Sequence, residues 1–338
     1  MTIDRLLAAF ITRDHAHLPL AADVRYTENG QSLKVGDGLW GTLSRYVGET
    51  NTPESGSGAV RPPHYRIDFA DHAGAEAVYF GGTVETATPG MLALRLKLRG
   101  DRISEIEAVC VREERPGERG GTVTLFQPSL LTHFVAAGYQ GIDPEFLRPV
   151  ARPSAESRSE LSAVVDRYFD ALEGDDSREV TFTDNCQRRD NGVRTTGDAV
   201  AAPLDPNVPG YRPFSLGCAQ QIDSGFFTRI ARVRSRRHIA VDEQRGLVLT
   251  VSLWDQPGDV AEVQVPGIGR VALPSGIRAE DLSDTENPAQ FYLKRYEPNF
   301  RVPMTELTVQ LTKVEAGRIA RIESISRGAP YGLACGWP

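Results

Sequence analysis

Val180–Thr196 reads VTFTDNCQRRDNGVRTT. Alternation predicts a strand that sets Phe182, Asp184 and Cys186 on one face and Thr181, Thr183 and Asn185 on the other. The strand runs straight into Arg188, Arg189 and Asp190. Upstream, Leu161, Val164, Val165, Phe169 and Leu172 recur at helical spacing and predict a helix, stopped after Gly174 by Asp175 and Asp176. Val24–Leu43, VRYTENGQSLKVGDGLWGTL, repeats this order. It follows an amphipathic helix carrying Leu6, Leu7 and Phe10, and a break at Pro19. TFTDN at 181–185 matches RYTEN at 25–29, and Gly192–Thr196 matches Gly38–Ser44. Leu96–Val111 and Leu311–Arg327 each read as a strand, a turn and a second strand, with turns at Gly100-Asp101 and Ala316-Gly317. The chain therefore reads as two copies of one unit, too few for a solenoid.

The length of 338 residues fits two domains. We expect a first unit at 1–115, a linker at 116–156, and a second unit at 157–338 with a long irregular insertion at 256–299. A flexible loop is expected at 49–63, and a helix at Cys218–Val233 with Ile222, Phe226, Ile230 and Val233 on one face. Helices followed by strands give an α+β class: two cone-shaped units, each with N-terminal helices on a strongly curved antiparallel sheet around an open mouth.

A composition of 40% hydrophobic and 25% charged residues is that of an ordinary globular protein. The net charge of −7 argues against nucleic acid as a partner. The basic run RIARVRSRR at 229–237 reads as a solvated face. No stretch of about 18 apolar residues predicts a membrane span. The N-terminus lacks the pattern of an export signal, so a cytoplasmic location is expected. Cys110, Cys186, Cys218 and Cys335 have no metal spacing and are expected to be reduced. A Cys186–Cys218 bridge stays open, since sequence cannot establish one. His15 and His17 with Asp14 lack a third ligand, so no metal is expected. No GxGxxG, P-loop, GxSxG or HExxH pattern is present, which leaves nucleotide chemistry and serine hydrolysis without support and no cofactor expected.

LPLAADVRYTENG and the closing VEAGRIARIES hairpin resemble a tandem family of the SnoaL-like, nuclear-transport-factor-like cone fold. Relatives in that superfamily include ketosteroid isomerase, scytalone dehydratase and polyketide cyclases. The resemblance implies a cofactor-independent lyase, dehydratase or isomerase acting by acid–base catalysis on a small, mostly apolar aromatic or polyketide-like molecule. Formaldehyde release from lignin-derived dimers is one form of the lyase reading. The alternative is a non-catalytic small-molecule binding module, or a dimerisation module using the open sheet face as a homodimer.

Such chemistry needs a base and hydrogen-bond donors for an oxyanion. Asp184 and Asn185 are the first candidates, against the competing reading that Asp-Asn ends a strand as a turn. His238 is the best-placed base by its ordinary pKa, and Tyr168 is a candidate donor. Arg237, Trp254, Tyr331, Cys218 and Asp223 are expected around the substrate of the second unit. Tyr26, Glu28 and Trp40 form the matching set in the first. Chemistry is expected mainly in the second unit.

Overall fold

The computed structural model describes residues 3–47, 65–86, 88–112, 142–151, 155–197, 213–267, 269–273 and 301–337. Helix α1 (Ile3–Thr12) buries Leu6, Leu7 and Phe10. Strands β1 (Leu20–Glu28) and β2 (Gln31–Leu33) form a hairpin. The short helix α2 (Leu39–Thr42) leads to β3 (Leu43–Tyr46), β4 (Arg66–Asp71), β5 (Glu76–Glu85), β6 (Thr88–Arg99) and β7 (Arg102–Arg112). These make one mixed sheet in the order β2-β1-β7-β6-β5-β3, with β4 also on β5.

The second half repeats the plan. Helix α3 (Arg158–Gly174) starts at a capping box between Ser157 and Glu160 and ends where Asp175 turns left-handed at φ 49°. Then come β8 (Phe182–Asp190), β9 (Val193–Arg194), α4 (Cys218–Asp223), a 3-10 turn at Phe226–Arg229, β10 (Arg232–Asp242) and β11 (Leu247–Gln256). A small hairpin follows, β12 (Glu262–Val265) and β13 (Gly269–Ala272), and β14 (Met304–Glu315) and β15 (Arg318–Pro330) close the chain. The second sheet runs β10-β11-β14-β15-β8-β9. The class is α+β with few helices, and neither sheet closes into a barrel among the described residues.

Several expectations are corrected. The sheets are mixed, because β1 runs parallel to β7 and β8 parallel to β15. The strands and helices that lie between β1 and β7, and between β8 and β15, supply the long connection that a parallel pair requires. Cys218–Val233 is not one helix: Gly225, at φ 72°, breaks it, and a strand begins at Arg232. The insertion expected to be irregular carries the β12–β13 hairpin. The loop at 49–63 and most of the linker and insertion lie outside the described residues.

The matching register differs from the sequence reading by six positions. Tyr26, Thr27 and Glu28 pair with Ile106, Glu107 and Ala108, while Arg188, Arg189 and Asp190 pair with Ile322, Glu323 and Ser324. The counterpart of Glu28-Asn29-Gly30 is therefore Asp190-Asn191-Gly192, not the Asp-Asn pair at 184–185. Both Asn-Gly pairs take positive φ, as a tight hairpin turn demands. In the first half β3 and β4 pair with β5 as two separate strands. In the second, the corresponding place on β10 is a bulge at Ser235, at φ 52°.

The two sheets pack back to back. Ile67, Val78, Phe80 and Met91 of the first meet Leu249, Val251, Leu253 and Val309 of the second in one core. Polar contacts rim it. Arg237 pairs with Glu107, Val241 N donates to Asp71 at 2.9 Å, and Arg158 pairs with the same carboxylate. Trp337 reaches back from the C-terminal segment, its Nε1 donating to Thr27 Oγ1 at 3.0 Å. Each sheet's other face is covered by its own helices, α1 and α2 over the first and α3 over the second. No helix among the described residues is long and apolar enough to cross a membrane.

Candidate functional site

The inner faces of the two sheets differ in chemistry. Under α1 and α2 the middle of the first is apolar: Tyr79, Leu92, Leu94, Leu96, Ile106 and Ala108 are all buried. Under α3 the second carries Thr250, Ser252, Thr308, Gln310, Thr312 and Ser324, all fully buried. Polar side chains out of water need partners. Most have them: Thr308 Oγ1 lies 3.0 Å from Ser326 Oγ, Gln310 Nε2 donates to Thr312 Oγ1 at 2.9 Å, and Trp254 Nε1 donates to Ser252 Oγ at 2.9 Å.

At one end of this face lies a cavity of about 20 Å³, room for about one ordered water. Arg188, Asp190, Gln221, Phe227, Arg229 and Glu306 are among its lining. Asp190 accepts from Arg188 Nη2 at 3.0 Å, from Thr195 Oγ1 at 2.8 Å and from Ser324 Oγ. Arg188 lies over the rings of Phe227 and Trp254, at 4.9 and 5.6 Å. Arg229 lies 4.3 Å over Phe226 and donates to its carbonyl at 2.6 Å. Gln221 is fixed by α4 and donates to the carbonyls of Thr195 and Pro213.

Electrostatics single out three groups. Burial raises the Glu306 carboxyl above the usual range, with Arg229 opposing the shift and Asp190 adding to it. Burial pushes the Tyr168 phenol up to about 12, so it stays a hydrogen-bond donor. Burial, with Arg188 nearby, pushes Arg229 down to about 10, which leaves it charged at neutral pH. Tyr168 Oη and Arg188 Nε are buried without a hydrogen-bond partner. No cluster of three or more His, Cys, Asp or Glu among the described residues is arranged to hold a metal.

The expected site residues divide sharply. Tyr168 and Trp254 face the second interior. Asp184 and Asn185 do not: both are exposed, and the Asn185 carbonyl serves as an acceptor for Arg321. The irregular pairing of β8 before Gln187 turns them to solvent. His238 bridges sheet and helix, with Nδ1 2.8 Å from Thr250 Oγ1 and Nε2 3.1 Å from Asp166 Oδ1. It is not among the residues lining the cavity. Arg237 is turned by the Ser235 bulge to the back face, onto Glu107. Asp223 is an exposed staple accepting from Ser177 N and Oγ. Tyr331 is 46% exposed. Cys218 is bonded to Cys186 in a disulfide, correcting the expectation of reduced thiols. Their Cα atoms lie 6.1 Å apart, within bridging range, because α4 docks its first residue on β8.

In the first half, Tyr26, Glu28 and Trp40 are buried. Trp40 packs on Phe10 at 4.1 Å. Glu28 accepts from Arg112 Nη2 at 2.7 Å, Leu39 N at 2.8 Å and Tyr26 Oη at 3.0 Å. Burial acts to raise its carboxyl, but these donors outweigh it and hold it low.

Arg188, Asp190, Gln221, Arg229 and Glu306 are the residues that sequence reasoning missed. The shared Asn-Gly turn, rather than the Asp-Asn pair, was the signal that leads to the first two. Residues 154–326, just over half of the chain, match a family model described as a domain of unknown function (DUF8021). No curated protein and no solved structure matches the chain.

Proposed function

This chain belongs to the DUF8021 family, and we propose that its second half is a cofactor-independent acid–base enzyme of the lyase, dehydratase or isomerase type. The observation that carries this is that Glu306 and Arg188 line one buried cavity, with the buried Tyr168 hydroxyl close enough to Arg188 to feel its charge. A carboxyl raised by burial is a stronger base than an exposed one, suited to taking and returning a proton. The Tyr168 hydroxyl and the Arg188 guanidinium supply donors for the oxyanion formed when a carbon acid loses its proton. Asp190, which accepts from three donors, positions Arg188. Returning the proton to another carbon gives isomerisation, and losing a β-substituent gives elimination.

Each half is read as a cone in the sense of the SnoaL-like fold, because a helix roofs each sheet in the same strand order. From that resemblance, the substrate would be a small aromatic or polyketide-like molecule, with lignin-derived dimers at the large end. The aromatic wall of Phe214, Phe226 and Phe227 favours a flat molecule. The cavity is far below the roughly 150 Å³ that benzene occupies in an engineered core, so a ring enters only if Phe226 and Phe227 rotate outward. That smallness is the observation favouring the rival reading, a non-catalytic binder. A dimerisation role would need a surface other than the back faces, which cover each other. The disulfide favours an oxidising compartment over a cytoplasmic one.

The test is turnover of enones, β-hydroxy ketones and aromatic diols, followed by mass spectrometry, in wild type and Glu306→Gln. Activity lost in the variant with binding retained supports the acid–base reading. Undiminished activity in the variant ends it.

A further inference from the structure

Both halves end their parallel strand on a carboxylate, Glu28 in one and Asp190 in the other, and they answer it differently. In the first half one cation serves two carboxylates: Arg112 lies 2.7 Å from Glu28 and 2.7 Å from Glu85. The pairing registers place Tyr26 where the second half has Arg188, and Gly90 where it has Glu306. The second half instead brings two guanidinium groups, Arg188 and Arg229, to the lining of one cavity of about 20 Å³, with Asp190 and Glu306 beside them. Both guanidinium groups lie over the ring of Phe227, at 4.9 and 5.2 Å.

Charge and size together limit what this cavity can hold. Two cations out of water repel, and each calls for an opposite charge. Asp190 supplies one, and it already accepts from Arg188, Thr195 and Ser324. Glu306 is the second carboxyl of the lining. Burial favours its neutral form, Asp190 on β8 adds to that preference, and Arg229 and Arg188 oppose it. From α3, the Tyr168 phenol faces Arg188, and Asp175 at the helix end faces Arg229 without lining the cavity. With a proton on Glu306, one positive charge is in excess among the lining residues. A water molecule cannot offset a charge, whereas an anion can. Of its five N–H groups Arg188 gives Nη2 to Asp190, which leaves others for the cavity it lines. Space for about one water admits a chloride ion, which is little larger, and excludes carboxylate, sulfate and phosphate.

We infer that this cavity is a halide site, taking a single chloride ion with Arg188 and Arg229 as its counter-charges. The ion enters together with a proton on Glu306, so it binds more tightly at low pH than at high pH, and by linkage it strengthens the hold of Glu306 on that proton. A bound halide therefore opposes the base role proposed for Glu306 and inhibits that chemistry. Only this last consequence rests on the acid–base reading; the binding itself is measured without turnover.

The test has two arms, both on the full chain. Crystals soaked in sodium bromide are measured at the bromine absorption edge, and an anomalous peak is expected in the cavity beside Arg188 and Arg229. Bromide confined to the surface, as an adventitious ion only, would overturn the inference. Melting temperatures are then measured with sodium chloride replacing sodium gluconate at constant ionic strength, at pH 5 and pH 9. Chloride at ten times its dissociation constant is expected to raise the wild-type melting temperature by about 2 °C at pH 5, and by less at pH 9. Glu306→Gln stays neutral throughout, so its chloride response is expected to be the same at both pH values. A response that still falls with pH in this variant would overturn the proton linkage. Arg229→Met is expected to lose the response. If it melts lower but keeps the full chloride response, the ion lies elsewhere and the inference falls.

Discussion

Asn191 does in the second sheet what Asn29 does in the first. Each has positive φ, 48° and 51°, and each accepts a backbone N–H at 2.9 Å, from Ser326 and Cys110 respectively. Each also donates its own N–H at 2.8 Å, to Ser324 O and Ala108 O. The side chain thus ties the end of the parallel strand to its neighbour while the backbone turns. Asn191→Ala loses these side-chain bonds and places a Cβ residue in a left-handed conformation without compensation. A loss of about 2–4 kcal/mol is expected, with Asn191→Gly milder by about 1 kcal/mol. Urea denaturation reads both. Equal losses would show that the backbone conformation contributes nothing.

Glu306→Gln is expected to lower turnover by about 10²–10⁴-fold. In wild type the base form is needed, so activity rises with pH through the Glu306 pKa, which burial sets above the ordinary carboxylate value. The acidic limb of the kcat/KM profile should therefore lie above that of an exposed glutamate, and it should vanish in the variant's residual activity.

Glu323 lies on β15 in the second sheet, and burial pushes its carboxyl up to about 8, with Arg189 and the Tyr65 hydroxyl opposing the shift. The folded protein holds a proton there that the unfolded chain gives up above its ordinary pKa. Stability from this group is therefore lost progressively between about pH 4.5 and 8. Glu323→Gln removes the dependence. It is expected to add about 2–4 kcal/mol at pH 8.5 and little at pH 4.5, measured by denaturation at the two pH values. A gain that does not grow with pH would place the proton elsewhere.

The Cys186–Cys218 bridge closes a loop of sequence separation 32. Loop-closure entropy for that length gives about 3–4 kcal/mol. Thiol titration of the denatured, unreduced chain should find two of its four cysteines reactive, Cys110 and Cys335. Four reactive thiols would remove the bridge and the compartment argument with it.

Asp184→Asn is expected to leave activity and stability unchanged, since the side chain faces solvent. His238→Ala is expected to cost about 1–2 kcal/mol of stability, by removing the link from Asp166 to Thr250, with turnover within a few-fold. A hundredfold loss from Asp184→Asn would move the chemistry to the outside of β8.

The first helix of each half, the closing hairpins and the repetition were legible in the chain, because Leu161–Leu172 and the Ile-bearing strands carry their periods plainly. The site was not, for two physical reasons. TFTDN resembles RYTEN letter by letter, but the register is fixed by the Asn-Gly turns, where only a few residues accept positive φ. And ELTVQLTK at 306–313 alternates as a half-solvated strand would, although both of its faces are buried. Alternation distinguishes polar from apolar, not water from a polar interior.

Back-to-back packing within one polypeptide also has a meaning for symmetry. A homodimer of single units would have to place the same side chains in both of its interiors. Here the two interiors are encoded separately, so a substitution in one is not copied into the other. The leucine-rich half can supply cohesion for the whole, and the other is free to keep buried hydroxyl, amide and guanidinium groups that an identical pair would have to bear twice.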